Sequence, residues 1–412
     1  MAATPSFPEI DLTNPDNFVA GVPHHWFRKL RREAPVYWHE EAEGPGFWVI
    51  SRYDDLKAIS RNPQGFISSQ GTNIQTLEPE QIERMQLIML NMDPPKHVKF
   101  RRLVQRGFTP SRVLRMADQT RARARAIVDG IAERGECDFV NDVAAELPLQ
   151  VIADLMGVPQ EDRHIIFDLS NRLIGFEDPE FQTSPEDAQR ASAEMWMYAN
   201  QLAAKRREEP QDDLTTALIS GEVDGERLTE MEYDSFFLLL AVAGNETTRN
   251  LVSHGMLQLM HHPDERRKLL EDPSLIPGAV EEMLRYSPPV MYFRRTATRD
   301  TEIRGVPIRE GDKVCLYYPS VNRDEEHFED PDRFDVTRSP NDHLSFGIGE
   351  HFCLGANLAR LEIQIMFEEL LRRLPDMEIS GEVRRLRSSF IDGIKEIPVR
   401  FTPESERANR AA

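Results

Sequence analysis

The chain has 412 residues, 40% hydrophobic and 29% charged, a composition that can build a sizeable folded core. Its 50 Lys and Arg against 70 Asp and Glu leave a formal net charge of −20, which argues against non-specific binding to nucleic acid or an anionic membrane. Met1 to Ala20 is polar and acidic with no signal-peptide pattern, and the longest apolar run, Phe236 to Gly244, is far too short to span a bilayer. The expectation is a cytoplasmic chain without a membrane anchor. Cys137, Cys315 and Cys353 stand far apart, so they form neither a disulfide framework nor a CxxC metal pattern, and a reducing compartment fits.

In chain order, Val36–His39 and Phe47–Ser51 read as strands, the second followed by a turn at Tyr53-Asp54-Asp55. Pro94-Pro95 starts a helix on which His97 and Arg101, four apart, face one side. Apolar residues recur three and four apart in Ser111–Arg134, Glu194–Arg207, Thr229–His261 and Leu354–Leu374, the spacing of amphipathic helices. Later strands are expected at Tyr292–Ala297, Lys313–Tyr318 and Ile397–Phe401. Strands from both ends then share a small sheet, which makes 1–412 one interleaved domain, mainly α with minor β. Asn322–Arg338, rich in Asp, Glu and Pro, reads as irregular coil, and the end from Thr402-Pro403-Glu404 onwards as a loose tail.

The most informative stretch runs from Phe346 to Gly355 and leads into the helix bearing Leu358, Leu361, Ile365, Phe367, Leu370 and Leu374. Cys353 is expected in the first turn of that helix, where the dipole and free backbone N–H groups lower a thiol's pKa and make the thiolate a competent ligand. Gly347, Gly349 and Gly355 let the backbone fold tightly around the sulfur. An isolated cysteine at a helix start is more often a small core residue, and Cys137 and Cys315, which lack a motif, get that reading.

A second signal lies in Ala243-Gly244-Asn245-Glu246-Thr247-Thr248, a polar cluster directly after the apolar Phe236–Val242. Buried polar residues need partners or a purpose. Gly244 lets a ligand approach the backbone, and Thr247 can bond back to a carbonyl and bend the helix. A carboxylate and a hydroxyl side by side at such a bend can relay protons.

The pattern F-x-x-G-x-x-x-C-x-G, met at Phe346, Gly349, Cys353 and Gly355, resembles the haem-binding signature of the cytochromes P450. Three further motifs resemble that family in order and spacing, from about His97 to Cys353. The resemblance implies Cys353 as the axial ligand of the iron of haem b (iron protoporphyrin IX), Glu246 and Thr247 as the acid–alcohol pair delivering protons, and Gly244 beside the cofactor. It implies His97 and Arg101 as a propionate clamp joined by Arg295 and His351, with Arg294 the alternative register for Arg295. Glu282 and Arg285 match the family's structural pair, and Arg333 its third member. The implied fold is a helix-rich triangular prism with a small sheet.

The implied activity is reductive activation of dioxygen to hydroxylate or epoxidise a substrate, on electrons from a ferredoxin and its reductase. Arg102, Arg106, Arg360 and Arg372 are a candidate basic face for that partner. The pocket is expected at Leu87–Leu90, Leu173–Phe176, Phe237–Ala241, Val290–Phe293 and Phe390-Ile391, with Leu90, Phe237, Ala241, Val290, Phe293, Phe390 and Ile391 facing a bulky lipophilic substrate. Local phrases around Glu246, Met92 and Asp392 look most like bacterial members that oxidise sterol side chains, methyl-branched lipids or terpenoids. A haem-thiolate sensor or carrier without turnover is the competing reading; it would keep Cys353 but has no need of Glu246-Thr247.

Overall fold

The computed structural model describes residues 6–42, 44–181, 184–222 and 225–411, with the side chains of 106, 185 and 408–411 outside that description. Strands β1 (Val36–His39), β2 (Phe47–Ile50), β3 (Phe66–Ile67), β4 (Tyr292–Ala297) and β5 (Lys313–Tyr317) form one sheet in the order β1-β2-β5-β4-β3. The two ends of the chain therefore meet in one sheet, as the pattern predicts. β2 runs parallel to β5, with Trp48 opposite Val314 and Ile50 opposite Leu316, and the other pairings are antiparallel. Side-chain alternation along β4 sends Arg294 and Arg295 to opposite faces of the sheet. The last expected strand goes elsewhere: Pro398–Arg400 pairs with Glu136–Asp138 and Glu378–Ile379 in a separate three-stranded sheet.

The helices around the sheet include α1 (Tyr53–Ser60), α2 (Lys96–Val104), α3 (Pro110–Arg115), α4 (Ala117–Ile131), α5 (Glu146–Met156), α6 (Arg163–Ile174), α7 (Pro185–Glu208), α8 (Glu230–His261), α9 (Ile276–Tyr286), α10 (Ala356–Arg373) and α11 (Glu404–Ala411). At the start of α8, Thr229 Oγ1 accepts from the Glu232 N–H at 3.3 Å and Glu232 Oε2 accepts from the Thr229 N–H at 3.1 Å. This reciprocal cap satisfies two orphan donors and marks where the helix begins. The 32-residue α8 then crosses the molecule, packing against α5, α6, α7, α9 and α10. Gly255 makes the closest approach possible: a Cβ there would stand 2.6 Å from Met283 Sδ and 2.8 Å from the Phe367 ring.

Three local expectations are corrected. Tyr53-Asp54-Asp55 is the first turn of α1 rather than a turn, because Tyr53, Leu56 and Ile59 bury one face and the two acids suit a helix N-terminus. The expected helix Ser111–Arg134 is two helices broken at Met116, whose N–H turns back to Val113 while its carbonyl accepts from both the N–H and the hydroxyl of Thr120. The tail is α11, anchored where Arg373 donates to Glu404 at 3.1 Å and 2.5 Å. Among the described residues no helix is long and apolar enough to cross a membrane.

Candidate active site

The cysteine loop is shaped by its glycines. Gly347 and Gly349 take φ of 68° and 81°, and a Cβ on Gly349 would meet the Ser60 carbonyl oxygen at 2.4 Å, so no side chain fits there. The loop closes when the Cys353 N–H donates to the Phe346 carbonyl at 2.8 Å. Cys353 precedes the helix rather than sitting in its first turn: α10 starts at Ala356, with Gly355 as its cap. The N–H groups still reach the sulfur. Burial pushes the Cys353 thiol up, while the Gly355 N–H, Arg101, Arg360 and the Ala356 N–H work the other way and favour the thiolate. Arg360 lies over the Phe346 ring, 4.5 Å from its centroid, and is held there by Glu281 at 2.7 and 2.8 Å.

Cys353 opens onto a cavity of about 240 Å³. Phe346, His97, Arg101, Arg295, His351, Gly244 and Thr247, all singled out from the sequence, line the same space. The rings of His97 and His351 lie 4.2 Å apart, and both ring nitrogens of buried His97 have no hydrogen-bond partner. Burial first, then Arg101 and Arg295, push His97 down to about 4. Burial, then Arg295, His97 and Arg101, push His351 to about 2. The guanidinium of Arg295 donates to the Arg294 carbonyl at 2.8 Å and has no acidic partner among the described residues. Arg101 donates to the Phe352 carbonyl at 2.6 Å. Two guanidinium groups and two imidazoles, each disfavouring charge on its neighbours, line one wall of the cavity, an arrangement that takes carboxylates from a bound molecule. The register is settled by β4: Arg295 faces the cavity, whereas Arg294 donates to Gln75 O at 3.0 Å and Thr296 Oγ1 at 3.2 Å.

On α8, Thr247 donates to the Ala243 carbonyl at 2.7 Å and faces the cavity. Glu246 does not. It is fully buried beside the cavity wall and ion-paired with Arg249, whose other arm donates to Asn171 of α6 at 2.8 Å. One step along a helix turns the side chain by about 100°, which takes Glu246 off the face that carries Ala243 and Thr247.

Three of the seven side chains expected to face the substrate line the cavity. Leu90, Val290 and Phe293 line the cavity; Phe237, Ala241, Phe390 and Ile391 stand behind it. Phe237 packs on Tyr198 and Tyr233, Phe390 buttresses Tyr292 and Phe293, and Ile391 bridges Val290. Leu173 to Phe176 are likewise off the wall, which is completed by Phe108, Ile152, Phe236 and Leu240. Glu362 also borders the cavity unanticipated, with burial raising its carboxyl well above the usual range and Oε2 without a partner. A signal existed: Leu358, Glu362, Ile365 and Glu369 form the buried stripe of α10, and an acid in such a stripe is unusual.

Glu282 and Arg285 form the expected pair, but its third member is Arg338, not Arg333. Arg338 Nε sits 3.2 Å from Glu282 Oε2, whereas the Arg333 side chain is exposed and pairs with Asp335 at 3.7 Å. Arg333 contributes its carbonyl, which accepts from Arg285 at 3.0 Å. The basic face is not free as sketched either: Arg360 is bound to Glu281, Arg372 to Glu369, and the Arg106 side chain lies outside the described residues.

A cysteine sulfur sharing a cavity with the guanidinium groups of Arg101 and Arg295 and with Thr247 of the long helix α8 defines the haem-thiolate class. Residues 17–375 match the family model described as Cytochrome P450. The chain belongs to the cytochrome P450 family and is a mono-oxygenase, with a haem iron cofactor and external electron donors as that family requires. It is 43% identical to a steroid C26-monooxygenase of Rhodococcus jostii over 98% of this chain and 87% of the relative. It is 45% identical to a methyl-branched lipid omega-hydroxylase of Mycobacterium tuberculosis over 91% of this chain and 90% of the relative. Among solved structures, a Mycobacterium marinum cytochrome P450 in complex with pseudoionone superposes with a TM-score of 0.89 at 39% identity, covering 97% of this chain and 100% of that one.

Proposed function

We propose that this chain hydroxylates a bulky lipophilic molecule of the sterol, methyl-branched lipid or terpenoid class, using haem b and electrons from a ferredoxin and its reductase, as one interleaved cytoplasmic domain. The observation that carries the reading is the sharing of one cavity by the Cys353 sulfur, the guanidinium groups of Arg101 and Arg295, and the imidazoles of His97 and His351.

The residues present fit a haem. Cys353 would hold the iron, and the orphaned nitrogens of His97 with the acid-free guanidinium of Arg295 would take the propionates, joined by Arg101 and His351. Gly244, where a Cβ would meet Ile152 Cδ1 at 2.9 Å, keeps α8 thin at the cavity. When bound, the haem supplies dioxygen activation, which thiolate donation promotes. Leu90, Phe236, Val290 and Phe293 hold an apolar substrate and exclude water. The Thr247 hydroxyl holds a proton at the cavity edge, and Glu246 resupplies it. The similarity to steroid and branched-lipid hydroxylases supports the substrate class.

The test is a carbon monoxide difference spectrum of the reduced protein, followed by spin-shift titration with sterols, branched fatty acids and terpenoids, and product identification by mass spectrometry. A thiolate spectrum with a hydroxylated product from one of these classes is expected. A thiolate spectrum with no turnover of any of them would favour a sensor.

A further inference from the structure

We propose that Glu177, in the loop between α6 and α7, is a positioning residue that shapes the substrate pocket from outside it, by holding the Ser388 hydroxyl that turns Phe390 and Ile391 against the pocket wall. The inference deepens the proposed function and rests on the reading of this cavity as the substrate pocket. Val290 and Phe293 line the cavity, and neither Glu177 nor any residue from 386 to 391 does. Behind that wall, Ile391 bridges Val290, the Phe390 carbonyl accepts from the Met291 N–H at 2.9 Å, and the Phe390 ring stands 5.8 Å from that of Phe293. The wall is therefore only as fixed as the turn behind it.

That turn is built on one hydroxyl. Ser388 is fully buried, and its Oγ accepts from the N–H groups of Phe390 and Ile391, both at 3.1 Å. A serine oxygen has two acceptor sites and one proton. With both acceptor sites taken, the proton must leave in the remaining direction, and there Glu177 Oε2 accepts it at 2.9 Å. The carboxylate thus fixes the hydroxyl rotor and aims its lone pairs at the two N–H groups, and a charged acceptor strengthens each bond in the chain. Glu177 also accepts from Ser389, through the N–H at 2.6 Å and the hydroxyl at 2.8 Å, and its own carbonyl accepts from Arg387 at 2.5 Å. The Ser389 hydroxyl, by contrast, leads from Glu177 to no N–H of the wall. The two serines therefore separate two roles. If Glu177 merely anchors the loop, either hydroxyl serves; if it positions the wall, only that of Ser388 does.

The test measures binding of imidazole and of 4-phenylimidazole to the ferric haem enzyme by their absorption shifts, in Glu177→Gln, Ser388→Ala and Ser389→Ala. Both probes ligate the iron, but only the phenyl ring needs the wall at Val290 and Phe293. Glu177→Gln and Ser388→Ala are expected to weaken 4-phenylimidazole roughly threefold to tenfold, the effect of about one lost hydrogen bond, with imidazole within about twofold of the wild type. Ser389→Ala should leave both probes within about twofold. The Glu177→Gln/Ser388→Ala double variant should bind no more weakly than the weaker single one, because both break the same chain. Hydrogen exchange adds a readout without any probe: the amides of Phe390 and Ile391 should exchange roughly tenfold faster in Ser388→Ala than in Ser389→Ala. An unchanged affinity in Ser388→Ala, or an equal loss in Ser389→Ala, would overturn the inference. Should Glu177→Gln not fold, the two serine variants decide it alone. These affinities are read without turnover, so a failure to hydroxylate sterols, branched lipids or terpenoids would count against the proposed substrate and not against this inference.

Discussion

Arg285 lies across Glu282 with two hydrogen bonds of 2.8 Å, both side chains wholly shielded from solvent. The remaining arms of Arg285 donate to the carbonyls of Asn322, Pro331 and Arg333, so this one guanidinium ties α9 to the irregular segment that leads to the cysteine loop. Removing one partner strands a buried charge. Glu282→Ala is expected to destabilise by about 3–5 kcal/mol. Arg338→Ala should cost more than Arg333→Ala, because the Arg333 side chain is exposed. Chemical denaturation of the three variants checks the order, and a larger cost for Arg333→Ala than for Arg338→Ala would return the third position to Arg333.

Cys353→Ala removes the sulfur but keeps the bond from the residue 353 N–H to the Phe346 carbonyl and the bond from Arg101 to the Phe352 carbonyl. The variant is expected to fold, and to lose the thiolate band of the reduced carbon monoxide complex together with all hydroxylation. Absorption spectroscopy and circular dichroism on one sample read both outcomes.

Thr247→Ala takes away the hydroxyl at the cavity edge but leaves the apolar walls intact. Substrate-induced spin shifts should be unchanged, while the share of reducing equivalents lost as peroxide rises roughly tenfold. An oxygen electrode with a peroxide assay measures the split, and unaltered coupling would take Thr247 out of the relay.

Asp234 on α8 accepts a hydrogen bond of 2.7 Å from Asn200 on α7, and its other oxygen is buried without a partner. Burial raises its pKa from 3.8 to about 6, against the opposing bond from Asn200. A carboxyl raised on folding stabilises the protonated form, so its contribution is complete below about pH 4 and is lost as pH climbs through 6. Asp234→Asn keeps the acceptor and cannot ionise. At pH 8 it should be more stable than the wild type by about 1–3 kcal/mol, with the gap closing towards pH 4. Urea midpoints at several pH values would show this, and a gap that does not vary with pH would rule it out.

What could be read from the chain depended on how local each signal was. His97 and Arg101 share a helix face at a spacing of four, and Phe346 to Gly355 is one loop, so short-range geometry was enough to place them on the cavity. The orientation of Glu246 was also within reach, since the same period that puts Leu240, Ala243 and Thr247 on one side puts Glu246 on another. Arg338 was not, because 322–338 has no period from which to tell an inward arginine from an outward one. Nor was α11, whose anchoring acid finds Arg373 only through the tertiary fold. Phe390 and Ile391 belong to a loop whose distance from the cavity is set by Val290 and Phe293, one layer closer in.

β2, near the front of the chain, hydrogen-bonds in parallel to β5, with Val49 opposite Cys315. During synthesis the β1–β2 hairpin must therefore wait with its β2 edge open until most of the polypeptide has left the ribosome. A fragment lacking that hairpin would bare the β5 edge, an invitation to neighbouring molecules to add a strand of their own.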